Sequence, residues 1–140
     1  MGRKRMATEL EKMSSEDRKN RPMARGLLDY FPDALAEVAY VSMVGNEKHN
    51  PGQDLHWSKG ISDDHADCVI RHLVDRGKWD VVTIRDKTYR VRHSAYAAWR
   101  ALANLQIEIE TEDKIVADTR KFYKPGGVTR NDMTATHEIE

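Results

Sequence analysis

Asp64 and Asp67 lie three residues apart at the start of an expected helix that also carries Arg71 and His72, and an earlier helix offers Glu37 and Glu47. Carboxylates grouped in this way suit a hard divalent cation. Mg²⁺ and Mn²⁺ take oxygen ligands, keep positions open for phosphate oxygens, and need more than one carboxylate because a single one stays well hydrated. The expected metal ligands are Glu37, Glu47, Asp64 and Asp67, around two or more ions, with Glu37, Asp64 and Asp67 as the catalytic set. Such ions neutralise a triphosphate, polarise the phosphorus under attack and acidify a bound water, so hydrolysis of a nucleotide is the reaction the pattern suggests.

Two registers of antiparallel helix pairing are open: one sets Glu37 opposite Asp67, the other Glu47 opposite Asp64. At ~1.5 Å rise per residue Glu37 and Glu47 are about 15 Å apart, so they cannot share one ion. A plainer reading competes, since acidic residues in a helix's first turn complement its dipole and Asp67 with Arg71 is an ordinary i,i+4 pair. Lys48, Lys59, Arg71 and Arg76 are cations that could grip phosphates. Trp57, in a polar loop, either packs down on the core or stacks on a base. The histidines at 49, 56, 65, 72 and 93 have no zinc spacing, and there is neither a Gly-rich phosphate loop nor a Gly-x-Ser-x-Gly elbow.

The elements that must position these groups follow from the apolar periods. Residues 7–20 are polar and suit a short helix or a loosely held arm. Pro32 fits the first turn of a helix whose Leu35, Val38 and Val41 recur at helical spacing to about Lys48, with Gly45 allowing a close backbone approach. His49 to Gly60 reads as a long loop, and Ser62 or Asp63 as the cap of a second helix with apolar Ala66, Val69, Ile70 and Leu73, stopped by Gly77. The period then turns to alternation, WDVVTI and YRVR about a polar turn, which predicts a β-hairpin. Ser94 is expected to cap a further helix with a core stripe of Ala98, Leu102, Leu105 and Ile109, and Pro125 ends regular structure. The expected organisation is an arm at 1–20, one domain at 21–124 and a tail at 125–140.

Composition narrows the class. In 140 residues, 39% are hydrophobic and 33% charged, with zero net charge and one cysteine, Cys68, expected to be a small buried helix residue. No apolar run approaches the ~20 residues of a membrane span, and without a secretory core near the start the cytoplasm is the expected compartment. Zero net charge argues against a long nucleic-acid footprint held by counterion release. A winged-helix-like DNA binder is nonetheless an alternative, with helix 62–76 in the groove and Arg85, Lys87, Arg90 and Arg92 of the hairpin as a basic wing.

The run ALAEVAYVSMVGNEKHN, then HWSKG, then DCVIRHLVDRGKWD and HSAYAAWRALANL resembles a phage family related to MazG, the MazZ-type dATP/dGTP diphosphohydrolases of phages that carry 2-aminoadenine. The resemblance spans about Arg21 to Glu110. It implies a mainly α fold, a MazG-like helical bundle with a small β-hairpin inserted before the last core helix. It further implies a homodimer or homotetramer that cleaves dGTP or dATP between the α and β phosphates. Relatives of this kind bind Mg²⁺ through an ExxE on one helix and an ExxD on the next. Here Glu37 matches the first, Tyr40 replaces the second, and Asp64 and Asp67 stand for the ExxD. On that basis Lys48, Lys59 and Arg71 would bind phosphate, Trp57 would wall the base, and His72 or His93 would hold the sugar or orient a ligand.

Overall fold

The computed structural model describes residues 8–120, with side chains to residue 112. Two compact units divide the chain, Met1–Ile109 and Glu110–Glu140, and the core and clefts considered below belong to the first. The fold is mainly α with one small antiparallel sheet, as the sequence predicts.

Two short helices open the described chain, α1 (Glu9–Lys12) and α2 (Ser15–Lys19). Each forms because a hydroxyl satisfies its first amides. Thr8 and Glu11 make a reciprocal capping box, and Ser14 Oγ accepts from the Asp17 amide at 3.1 Å. Neither helix buries a residue. A wide turn follows at Ala24–Leu28, in which the Asp29 amide reaches back five residues to the Ala24 carbonyl.

Pro32 then starts α3 (Pro32–His49), close to the predicted bounds. Its buried positions are Val41, Val44 and Asn46. Helix α4 (His65–Val74) is shorter than expected, with Asp64 as its cap residue in place of Ser62 or Asp63. The chain turns at Gly77, whose φ of 81° favours a residue without a Cβ. It next forms β1 (Trp79–Ile84) and β2 (Lys87–Arg92), paired from Trp79↔Arg92 to Ile84↔Lys87. Helix α5 (His93–Arg120) follows β2 without a break, so Ser94 lies within the first turn instead of capping it.

The hairpin is part of the core. Val91 is fully buried and packs with Val41 and Val44 of α3 and Ala95 of α5, edged by Tyr40, Met43, Ile84, Tyr89, Tyr96 and Trp99. Burial of such a valine is worth roughly 1.5–3 kcal/mol. Strand alternation selects it, because Tyr89 and Val91 share the inward face of β2.

The closest backbone approaches of α3 are to the turn before it and to β2. Two expectations are corrected here. The stripe Leu102, Leu105 and Ile109 faces outward, while α5 buries the small Ala95, Ala97 and Ala103. Finally, a Cβ at Gly45 would meet nothing within 4 Å, so this glycine serves no close backbone contact within the chain. Among the described residues no helix is long and apolar enough to cross a membrane.

Candidate functional site

Where α3, the loop after it, α4, β1 and α5 converge, a cleft of about 780 Å³ opens. That volume is typical of a small-molecule site. Asn46 shapes its rim. Buried on α3, it donates from Nδ2 to the Gln53 carbonyl at 3.0 Å and accepts from the His56 amide at 3.2 Å, which pins the loop to the helix. The loop then lays Trp57 edge-on against Trp99 at 5.6 Å, and Trp99 Nε1 donates to Ser42 Oγ at 2.8 Å. Of the two readings of Trp57, packing against the core is realised, and the indole still lines the cleft. Lys59 lies over the other side of the same ring, 5.1 Å from its centroid.

Cations and acceptors share the cleft with these aromatics. Lys48, His49 and Arg100 line it, together with Asp80, His65, His72 and Tyr96. Tyr96 donates its hydroxyl to Asp80 Oδ2 at 3.1 Å, and burial followed by that bond pushes its phenol up to about 12, so it remains protonated. His72 stacks on Tyr96 at 4.7 Å and shares a proton with His93 across 3.0 Å between their Nδ1 atoms. Burial, then the neighbouring His93, Arg100 and Arg71, hold His72 below the ordinary histidine value, while Asp80 opposes them.

The predicted site residues divide accordingly. Lys48, Trp57 and His72 line the cleft, and His93 backs His72. Asp64 and Arg71 are joined, but to each other: Arg71 Nη2 lies 3.3 Å from Asp64 Oδ2 and 2.6 Å from Cys68 Sγ, and Arg100 stands 3.9 Å from Asp64 Oδ1. The expected Asp67–Arg71 pair is therefore replaced by one across two turns, and Asp67 is exposed. The thiol of the buried Cys68 holds the Asp64 carboxyl below its ordinary range; burial opposes it, and the Arg71 guanidinium adds to the lowering. Glu47 lines a separate groove with Met43, Arg85, Asp86, Lys87 and Tyr89. Tyr40 packs on Tyr89, ring centroids 6.4 Å apart, and so faces the hairpin. Glu37 is half-buried, one turn before Val41 on α3.

Among the described residues no three His, Cys, Asp or Glu side chains gather closely enough to hold a metal ion. The acids named from the sequence do not amount to a complete ligand set within one chain. Sequence reasoning missed Ser42, Asn46, Asp80, Tyr96, Trp99 and Arg100, and noted His65 only among the histidines. Their signal was weak because each sits in a segment whose period already had a structural explanation.

On the wing reading, Arg90 and Arg92 lie over Trp79 at 4.7 and 4.0 Å. The exposed residues of α4 include Ile70, Leu73 and Val74 beside Asp67 and Arg71, and Arg71 is already paired with Asp64, which leaves little for phosphates and base edges.

A family model described as dATP/dGTP diphosphohydrolase, N-terminal, matches residues 11–119. No curated protein and no solved structure matches the chain.

Proposed function

Because that match covers well over half of its length, the chain belongs to the dATP/dGTP diphosphohydrolase N-terminal family, and we propose that it hydrolyses dGTP or dATP to the monophosphate and diphosphate. The observation that carries this reading is the single cleft in which two tryptophans meet Lys48 and Arg100. A nucleotide presents a flat apolar base at one end and a polyanion at the other, and this lining supplies a partner for each.

In this reading Trp57 walls the base. Lys48 and Arg100 offset the charge that collects on the departing diphosphate when water attacks the α phosphorus and the bond to the bridging oxygen breaks. Asp80, held by Tyr96, is an acceptor for a sugar hydroxyl or a base amine, and His72, kept neutral by burial and by His93, flanks the sugar.

Divalent-ion dependence belongs to the proposal through the resemblance. Mg²⁺ or Mn²⁺ would supply electrophilic assistance and a more acidic water. Glu37, Asp64 and Asp67 are the acids the resemblance names for it, and with Glu47 they are not gathered in one chain. Self-association is proposed too, as a homodimer or homotetramer. It is supported by two apolar faces open to solvent: Ile70, Leu73 and Val74 on α4, and Leu102, Leu105 and Ile109 on α5. Within a phage, the product dGMP would feed synthesis of the 2-aminoadenine nucleotide.

The test is incubation of the purified chain with dGTP and Mn²⁺. Diphosphate and dGMP in equal amounts are expected, with turnover abolished by chelation and restored by Mn²⁺. Release of orthophosphate alone overturns the assigned bond.

A further inference from the structure

His65, the first residue of α4, is 5% exposed and lines the cleft. Its two ring nitrogens are in opposite situations. Nδ1 lies 3.1 Å from Nη1 of Arg100. A guanidinium donates and cannot accept, so Nδ1 must be the acceptor and carries no proton. The imidazole proton then sits on Nε2. That nitrogen is buried and has no hydrogen-bond partner among the described residues.

A buried N–H without an acceptor is uncommon in folded proteins, since the group forfeits its hydration and gains nothing in return. The donor is therefore kept by the fold, fixed in tautomer by Arg100 and oriented by contact with Trp99, whose ring centroid is 6.3 Å away. The acceptor it awaits must be able to enter the cleft. Lys48 and Arg100 line the same space and favour an anionic oxygen over a neutral one.

Resting on the reading of the cleft as a nucleotide site, we infer that His65 is a substrate-binding residue whose Nε2–H donates to a phosphate oxygen of the nucleotide, with Arg100 fixing its tautomer. Cys68, Arg71 and Asp64, bonded to one another beside it, are not part of the assignment.

Two substitutions separate the ligand contact from a structural one. His65→Gln keeps a donor near the position of Nε2 and gives up the acceptor toward Arg100. His65→Asn keeps an acceptor near Nδ1 and gives up the donor. Binding of inorganic triphosphate and of deoxyguanosine is measured by calorimetry, alongside the unfolding temperature of each free protein. Triphosphate affinity is expected to fall about 10- to 100-fold in His65→Asn, the worth of one hydrogen bond to a charged acceptor, and to stay within a few-fold of wild type in His65→Gln. Deoxyguanosine affinity should be unchanged in both. In the wild-type protein, the ¹⁵N-coupled Nε2–H resonance of His65 should move on addition of inorganic triphosphate.

Several outcomes overturn the assignment. Rescue by Asn and not by Gln makes His65 a support for Arg100 alone. A loss confined to deoxyguanosine moves the contact to the base or sugar. Wild-type turnover of dGTP with an unmoved Nε2–H resonance rejects the contact while leaving the nucleotide reading intact. Failure of the wild type to bind both dGTP and inorganic triphosphate rejects that reading and this assignment together.

Discussion

Two histidines show how neighbours decide what a side chain can do. His65 and His72 are both held below the ordinary value of 6.5, burial being the largest cause in each, with Arg100 next for His65 and His93 next for His72. The sign of the linkage follows. An unfolded chain takes up protons at its ordinary histidine value, the folded one only lower, so folding stability is complete above about pH 6.5 and declines as the pH falls through the lowered folded values. Asp64 and Asp75 belong to a separate window. They are held below 3.8, first by hydrogen bonds from Cys68 and Lys78 respectively, and their contributions are lost only on further acidification. Thermal unfolding between pH 8 and 5 is expected to be flat above pH 7 and to fall in midpoint below 6.5. The fall should be shallower in His72→Gln, which removes one titrating ring. A midpoint that rises toward pH 5 would contradict the direction assigned to both rings.

At the scale of elements, α3 serves two purposes at once. Its Val41 and Val44 close on Val91 of the hairpin, while Ser42, Gly45 and Asn46 turn to the cleft. Gly45 is the informative position. A glycine within a helix costs roughly 0.5–1 kcal/mol relative to alanine, and since an added Cβ meets nothing within 4 Å, no packing inside the chain requires it. Gly45→Ala is therefore expected to raise stability by about that amount in urea titration. Gly45→Leu, which projects a large side chain from the cleft wall, should weaken dGTP binding at least tenfold while the protein stays folded. Unchanged dGTP affinity in Gly45→Leu would move the nucleotide away from this wall.

For the whole molecule, the outward faces of α4 and α5 matter most. Val74 is 71% exposed and Leu105 51%, whereas Ala95, Ala97 and Ala103 of α5 are inside. Leucines left in water contribute little to the stability of a single chain, so on the proposed self-association a second copy is expected to cover them. Sedimentation is expected to show a dimer or tetramer, and Leu105→Lys should shift it toward monomer with Ala95 and Val91 packing unaffected. A wild-type monomer at micromolar concentration would leave those faces without the proposed partner.

The sequence by itself determined the elements, because each rests on near neighbours. Pro32 begins α3, alternation marks β1 and β2, Gly77 turns the chain, and the runs around ALAEVAY, HWSKG and VIRHLVDRG identify the family. Lys48, Trp57 and His72, candidates from the sequence and its resemblance, all line the cleft. What only the tertiary structure decided is which faces meet. Helical spacing defines a stripe but not its partner, so Leu102, Leu105 and Ile109 read as core and are outside, and Asp67 with Arg71 reads as a pair although Arg71 is bound to Asp64. The same limit hid His65, Asp80 and Arg100, which come from segments far apart in sequence. Their chemistry exists only through distances of about 3 Å that the packing of α4, β1 and α5 sets, and one-dimensional periodicity carries no record of those distances.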